Sequence, residues 1–225
     1  MKVVIVHGQN HQGNTYQLTN LLVEQLNCSQ EEIQTFYVNG IGQCVGCFQC
    51  IVKDEALCPH RDQIVPILTA MDQADLLIFT SPTYCYEMTG QLKSFCDHLA
   101  YRWMIHRPVD MQTKIGVALS TAAGGGAGSA TKSIRRQMQW WSVGRIYRLP
   151  FIVWAKGWNA IPEKRMNKLR KKTAGLAKKI NRKIGHSHPS LKVRLMFQIM
   201  RWIHRGPNWN ALDQAYWKQL TANEK

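Results

Sequence analysis

The stretch that decides the fold is KVVIVHGQNHQGNT, residues 2–15, an apolar run that passes through a glycine into a polar loop. β-Branched residues fill the run from Lys2 to Val6, and its unbroken apolar character predicts a strand buried on both faces, as in a parallel sheet. From residue 14 to 26, leucines such as Leu18 and Leu22 recur at helical spacing. The stretch therefore predicts a strand, a loop and a helix, with the loop at the carboxyl end of the strand.

The same alternation continues along the chain. Further strands are predicted at residues 33–38, 74–80, 114–120 and 147–154, and helices at residues 64–71, 90–101 and 131–141. Strands alternating with helices indicate βαβ units, so we expect a doubly wound α/β domain with a five-stranded parallel sheet. In such sheets ligands bind beyond the carboxyl ends of the strands, where the strand order reverses. The loops after the first, third and fourth strands therefore hold the candidate site.

Charge divides the 225-residue chain, whose net charge is +15. Residues 151–225 carry 17 Lys and Arg against three acidic residues, whereas residues 1–150 carry 12 against 11. We therefore predict a first domain over residues 1–160 and a basic helical extension over residues 161–225, packed on the same domain or on a partner subunit.

The interpretation of the seven cysteines depends on the cellular location of the protein. The first residues lack the pattern of a secretory signal, and no stretch reaches the 18–20 uncharged residues of a membrane-spanning helix. The expected location is the cytoplasm. There, cysteines serve metal binding, redox chemistry or packing rather than a disulfide framework.

The first loop, residues 8–15, has the composition of an anion site. Backbone amides at a helix N-terminus bind anions, and Asn10, Asn14 and Thr15 add side-chain donors. The loop is neither a Walker loop nor G-x-G-x-x-G. A plain tight turn, with Asn14 or Thr15 as the helix cap, is the alternative.

A family resemblance rests on the second loop, SPTYCYEMTGQLK, residues 81–93. It resembles the S-P-x-Y…G-x-L-K signature of NAD(P)H-dependent FMN reductases and multimeric flavodoxins. The first loop matches their G-S-x-R-x-x-G-N-T element in part: GNT is present at residues 13–15, but Gln9 replaces the serine and no arginine is present. The third loop, residues 122–126, resembles their flavin-ring loop. The resemblance covers about residues 1–154.

This resemblance implies a flavodoxin-like fold that binds FMN. By family analogy, the FMN phosphate is held by Asn10, Gly13, Asn14 and Thr15. The isoalloxazine is flanked on one side by Pro82, Thr83 and Tyr84, and on the other by Thr121, Ala122, Gly124 and Gly125. For Tyr84, plain packing is the alternative.

The implied activity is that of an FMN-dependent oxidoreductase. It takes hydride from NAD(P)H and reduces a quinone, a free flavin or another small acceptor, with amides near Thr83 and Gly124 stabilising the reduced ring. Because the flavin carries the chemistry, no catalytic side chain is expected. The alternatives are an iron–sulfur flavoprotein that carries electrons, and a membrane-associated binding module without turnover.

Four cysteines form a compact motif, Cys44-x2-Cys47-x2-Cys50-x7-Cys58. Such spacing is typical of thiolates that hold a [4Fe–4S] cluster, and it resembles the motif of iron–sulfur flavoproteins. Zinc is a second interpretation. Free or redox-active thiols are a third, because the segment also resembles the C-x-G-C-F-x-C segment of flavodoxin-like oxidoreductases without a cluster.

The extension has two predicted helices. Residues 163–184 contain ten Lys or Arg, and residues 191–203 are strongly apolar, with one polar stripe formed by Arg194, Gln198, Arg201 and Arg205. Such a helix fits a partner subunit or an anionic membrane surface, although a basic cover for the protein's own sheet is the plainer interpretation. The chain lacks nucleic-acid-binding signatures, so nucleic acid is not an expected partner. Residues 213–218 resemble the D-x-x-Y-W tail of the cluster-free subgroup, which indicates a structural extension. A homo-oligomer is expected.

Overall fold

Five parallel strands form the centre of the computed structural model, which describes residues 1–222. In chain order they are β1 (Val3–His7), β2 (Ile33–Tyr37), β3 (Leu76–Pro82), β4 (Ile115–Ala122) and β5 (Arg145–Ile152). Their order across the sheet is β2-β1-β3-β4-β5, and every neighbouring pair is parallel. This is the flavodoxin-like order, with its switch point between β1 and β3. The predicted fold class is confirmed.

Helices cover both faces of the sheet. The α-helices of residues 1–222 are α1 (Asn14–Val23), α2 (Gln49–Val52), α3 (Arg61–Gln73), α4 (Gly90–His98), α5 (Ala127–Trp140), α6 (Glu163–Lys183), α7 (Leu191–Ile203) and α8 (Ala211–Ala222). Within residues 1–222, no helix combines the length and apolar character that crossing a bilayer requires.

Two cores lie on opposite faces of the sheet because successive strand residues point to opposite sides. Val4, Leu77 and Phe79 contribute to the core under α3, α4 and α5. Val3 and Ile78 contribute to the core under α1 and α6. Every residue of β1 is buried, as its unbroken apolar run predicted.

Several predicted element boundaries differ from the structure, and two of these differences set the length of the third loop. Residues 121 and 122 belong to β4, because Thr121 and Ala122 pair with Phe151 and Ile152 of β5. Helix α5 begins at Ala127, four residues before its predicted start at residue 131, so the third loop is limited to residues 123–126. Strand β5 starts and ends two residues earlier than predicted.

The extension contacts the body at several points. From α6, Thr173 Oγ1 accepts a hydrogen bond from Gln25 Nε2 at 3.2 Å. From α8, Trp217 Nε1 donates to the carbonyl of His106 at 2.7 Å. Helix α8 has 12 residues and is a third helix of the extension, beyond the two that the sequence predicted. The division of the chain at residue 160 stays a proposal.

Candidate functional site

The first loop is fixed to the neighbouring strand at the carboxyl edge of the sheet. The Gly8 amide donates to the Thr80 carbonyl at 2.8 Å, and Thr89 Oγ1 donates to the Gly8 carbonyl at 3.0 Å. A Cβ at residue 8 would lie 2.6 Å from Thr89 Oγ1. Glycine is therefore required here for the loop to pass close to β3.

Helix α1 begins at this edge without a side-chain cap. Its N-cap is Gly13, in an extended conformation, and its first turn contains no acidic residue. Asn14 and Thr15 are the first residues inside the helix, so the alternative in which either of them is the cap is wrong. The first-turn amides and the positive end of the helix dipole therefore face the edge of the sheet with no carboxylate from that turn to neutralise them.

A cleft of about 580 Å³ adjoins this helix terminus. One wall is lined by Gln12, Gly13, Asn14 and Gln17, and the other by residues 156–160, which include the exposed Lys156. Helix amides and an ammonium group on two walls of one cleft suit a bound anion. Lys156 was not among the site residues predicted from the sequence, although its place just after the fifth strand was the available signal.

Two buried threonines join α1 to β4. Thr15 Oγ1 lies 2.5 Å from Thr121 Oγ1, and either hydroxyl could be the donor. One hydrogen bond uses one of the two hydroxyl protons, so one proton remains for a further acceptor. Thr15 is therefore tied to Thr121, whereas the sequence assigned these residues to opposite ends of the cofactor.

The loop after β3 contains a tight turn, residues 84–87. Tyr84 and Glu87 exchange backbone hydrogen bonds of 3.0 and 2.9 Å. The two central residues, Cys85 and Tyr86, have positive φ of 49° and 63°. Such turns favour Asn and Gly, and each other residue there costs about 1 kcal/mol or more. Glu87 Oε2 accepts a 2.7 Å hydrogen bond from Ser133 of α5, which holds the turn in place.

Direct contacts join this loop to the end of β4 and to the loop that follows β4. The Thr83 amide donates to the Thr121 carbonyl at 2.8 Å, and Thr83 Oγ1 lies 2.8 Å from Ser120 Oγ. Gly126 has φ +87°, and a Cβ there would lie 2.9 Å from Thr83 Cγ2 and 3.0 Å from Tyr86 Cα. The two loops are thus packed with no room for a side chain at residue 126.

The end of β5 closes on the same loop through Trp154. Its amide donates to the Ala123 carbonyl at 3.0 Å, and its indole Nε1 donates to the Gly124 carbonyl at 3.2 Å. Its side chain is 66% exposed, and Tyr84 and Tyr86 are also exposed beside these loops. Exposed aromatic faces suit stacking on a planar ring. Trp154 was predicted from the sequence only as the last residue of a strand.

The structure brings the predicted ring-binding residues to one edge and the predicted phosphate-binding residues to the adjoining terminus of α1. The first group, at the ends of β3 and β4, is Pro82, Thr83, Tyr84, Thr121, Ala122, Gly124 and Gly125. The second group, in the loop after β1 and the start of α1, is Asn10, Gly13, Asn14 and Thr15.

His7 lies at the end of β1, buried behind the first loop. Its Nδ1 is 2.7 Å from Thr80 Oγ1, and its ring stacks on Tyr37 at 5.1 Å between centroids. Burial lowers the pKa of His7 from 6.5 to about 4. The imidazole is therefore neutral at pH 7.

The four cysteines of the motif line a second, separate cavity of about 190 Å³. Cys58 Sγ lies 3.6 Å from His98 Nδ1, and His98 Nε2 is 2.8 Å from the Gly42 carbonyl. At the start of the motif, the Cys44 amide donates to Ser94 Oγ at 3.1 Å. Helix α4 therefore supports one side of the cysteine loop.

These cysteines are free thiols in the structure. Burial, and then the neighbouring Cys58, Cys44 and Cys47, raise the pKa of Cys50 to about 11. Among residues 1–222, no three His, Cys, Asp or Glu side chains are placed to hold one metal ion. The donor chemistry suits a metal or cluster, but loading would require the thiols to deprotonate and move together.

Helix α8 and its preceding turn support the back of the cysteine loop. Arg107 donates to the Cys50 carbonyl at 2.6 Å and to the Ile51 carbonyl at 3.1 Å, and it pairs with buried Asp213 at 2.6 Å. Asn210 Nδ2 also donates to the Ile51 carbonyl at 2.8 Å. The predicted tail segment is thus linked to the cysteine loop, a contact that sequence spacing does not show.

The strand order and these loops define a flavodoxin-like α/β protein with an anion-binding helix terminus beside glycine-rich and aromatic loops. Residues 1–159 match the family model described as NADPH-dependent FMN reductase. The chain belongs to this family, which confirms the resemblance seen in the sequence.

Curated relatives extend over most of the chain. An iron-sulfur flavoprotein of Archaeoglobus fulgidus is 26% identical over 97% of this chain and 98% of its own length. An iron-sulfur flavoprotein of Methanocaldococcus jannaschii is 33% identical over 58% of this chain and 67% of its own length.

Solved structures share the fold at low identity. An apo NADH:FMN oxidoreductase superposes with a TM-score of 0.57 at 15% identity, covering 84% of this chain and 94% of its own. A flavone reductase superposes with a TM-score of 0.60 at 13% identity, covering 84% of this chain and 66% of its own.

Proposed function

We propose that this protein is an FMN-dependent oxidoreductase that uses NAD(P)H to reduce a small-molecule acceptor. The family assignment supports this activity. The structural observation that carries it is the uncapped N-terminus of α1, which shares a cleft with Lys156 beside the ends of β3 and β4. A phosphate and a flat ring joined in one molecule match these two neighbouring surfaces.

The phosphate end of FMN is assigned to the α1 terminus. The amides that follow Gly13 and the side chains of Asn10, Asn14 and Thr15 are the proposed donors. Lys156 supplies the positive charge that the family's arginine would otherwise provide. Together they hold a dianion where no first-turn carboxylate opposes it.

The ring end is assigned to the loops after β3 and β4, with the same residues that the sequence indicated there. Bound FMN would accept hydride from NAD(P)H and pass two electrons to the acceptor. The amides expected to stabilise the reduced ring lie near Thr83 and Gly124. The amide of Thr83 itself donates to the Thr121 carbonyl, so it is already satisfied within the protein. The proposed backbone donor is therefore Gly124, where a Cβ would have no atom within 4 Å.

The decisive experiment compares FMN with riboflavin, which has the same ring but no phosphate. Purified protein should bind FMN at micromolar concentration and oxidise NADH or NADPH when an acceptor is present. Lys156→Gln should weaken FMN binding about fivefold, the effect of losing about 1 kcal/mol, and leave riboflavin binding unchanged. Lys164→Gln, an equal loss of charge on exposed α6, is the matched control.

Two results would contradict the proposal. Absence of FMN binding at micromolar concentration would refute the flavin site as a whole. An equal loss of FMN and riboflavin binding in Lys156→Gln would refute only the phosphate assignment.

A second candidate function is electron transfer through an iron–sulfur cluster on the cysteine loop. Two observations favour it: the four thiols line one cavity, and the curated relatives are named iron-sulfur flavoproteins. Anaerobically purified protein should then contain iron and acid-labile sulfide and absorb broadly near 400 nm. Zinc without sulfide would favour the structural alternative, and protein without metal would favour free thiols.

A cytoplasmic location and a homo-oligomeric state stay proposals. Fractionation of cells tests the first, and light scattering during size-exclusion chromatography tests the second. Contact of the extension with a membrane surface is a proposal independent of the flavin site.

A further inference from the structure

Helix α7 carries an apolar stripe on the outside of the protein. Its members recur at i, i+4, i+8 and i+11, and their exposed fractions are large: Leu191 80%, Leu195 58%, Ile199 42% and Trp202 69%. Trp209, just beyond the helix, is 72% exposed. Large apolar side chains gathered in one exposed stripe mark an interaction surface.

The opposite side of α7 holds the helix on the body. Val193 is buried, Phe197 lies 5.4 Å from the Trp217 ring, and His204 stacks on Trp217 at 5.0 Å. At the start of the helix, the Ser190 amide donates to the Gly144 carbonyl at 2.8 Å. The helix is thus held against the body along its length. The apolar stripe lies on a different face of the helix, which this packing leaves exposed.

Positive charge borders the stripe. Arg194, Arg201 and Arg205 follow one edge of the helix, at i, i+7 and i+11. Between residues 184 and 222 the chain has five Lys or Arg and a single acidic residue, Asp213, whose carboxylate is buried against Arg107. This surface therefore exposes cations and no carboxylate over those residues, and it complements a negatively charged partner.

We propose that α7 docks the protein on the surface of an anionic phospholipid bilayer. An apolar ridge with tryptophan and bordering arginines is the pattern of a helix that lies in the membrane interface. The stripe lies on the exposed side of α7, and a flat, deformable surface can cover such a side without a matching groove. A second copy of the chain would bring two cationic surfaces together, which disfavours self-association through this face.

Flotation of the full-length protein with vesicles tests the proposal. The protein should float with vesicles of phosphatidylcholine mixed with phosphatidylglycerol, and not with phosphatidylcholine alone. Leu195→Glu with Ile199→Glu should lower the partition coefficient on the order of tenfold or more, since two apolar contacts are replaced by charges that the lipids repel. Both side chains are exposed, so FMN binding and the unfolding curve should stay as in the wild type.

The matched control makes the same change in net charge elsewhere. Asn167→Glu with Ala174→Glu places two carboxylates on exposed positions of α6, and its partition should stay within about twofold of the wild type. An equal loss in this control would overturn the assignment to α7, because binding would then depend on net charge alone.

Other results would also overturn the proposal. Equal binding to vesicles with and without phosphatidylglycerol would show that docking does not require anionic lipid. Absence of vesicle binding, together with an oligomer that the α7 variant dissociates, would show that a second copy covers the stripe. If the protein neither binds vesicles nor forms such an oligomer, the stripe is a binding surface for a different protein.

Discussion

Replacing Gly126 by alanine should damage the candidate site at the contact between its two ring-binding loops. The residue has φ +87°, a conformation that costs a residue with a Cβ about 1–2 kcal/mol. The added Cβ would lie 2.9 Å from Thr83 Cγ2 and 3.0 Å from Tyr86 Cα, inside the ordinary contact distance of about 3.5–4.0 Å. Relieving this overlap adds about 1–3 kcal/mol, so the expected destabilisation is about 3 kcal/mol.

Two assays measure this effect. Urea unfolding of the apoprotein, followed by circular dichroism, should show the loss of stability, and the melting temperature should fall by roughly 9 °C. Titration of FMN, followed by quenching of its fluorescence, should show binding at least about tenfold weaker. The reason is that the overlap is relieved by moving residues 84–87, which form one wall of the site.

Gly128→Ala is the matched control. Residue 128 lies two positions along, inside α5, and a Cβ there would have no atom within 4 Å. Alanine should stabilise the helix by about 0.5–1 kcal/mol and leave FMN binding unchanged. If Gly126→Ala unfolds and binds FMN like this control, residue 126 is not packed tightly against Thr83 and Tyr86.

Three further outcomes follow from buried polar groups. The pKa of His7 falls from 6.5 to about 4 on folding, so between these pH values the unfolded chain binds a proton that the folded protein does not. The free energy of unfolding should therefore decrease by up to about 3 kcal/mol as the pH is lowered from 6.5 to 4. His7→Gln should remove this pH dependence in urea titrations at each pH. Asp213→Asn leaves the Arg107 charge buried without its carboxylate, so it should cost about 3 kcal/mol in urea unfolding and speed the reaction of the cysteine loop with a thiol reagent. Thr121→Val deprives the Thr15 hydroxyl of its partner and should cost about 1–2 kcal/mol in the same unfolding assay.

The controls for these variants use exposed or chemically conservative positions. Asp62→Asn removes a carboxylate that is 98% exposed in the first turn of α3, so it should cost no more than about 1 kcal/mol and leave thiol reactivity unchanged. Thr121→Ser keeps a hydroxyl and should recover most of the stability lost in the valine variant. A His7→Gln protein that keeps the wild-type slope between pH 6.5 and 4 would assign that slope to other groups.

The family was readable in the sequence because its motifs are local. The run from Lys2 to Val6 fixes a strand buried on both faces, and residues 81–93 carry a turn and helix start that resemble the family's S-P-x-Y…G-x-L-K signature. Periodicity likewise located α6 and α7, since a helix shows its faces in the spacing of apolar residues. Boundaries were less accurate at residues 121–128, because hydrogen bonds to β5 decide where β4 ends, and these join residues about 30 positions apart.

The sequence by itself determined the fold class, the three loops of the candidate site and the apolar character of α7, since each depends on residues close together in the chain. Only the tertiary structure showed that Lys156 shares a cleft with the start of α1, that Trp154 closes on Gly124, and that Asp213 supports the cysteine loop through Arg107. It also decided which face of α7 packs on Trp217 and which stays exposed. The physical reason is that such contacts join residues that are distant in the chain, and only the packing of the whole fold sets which side chains meet.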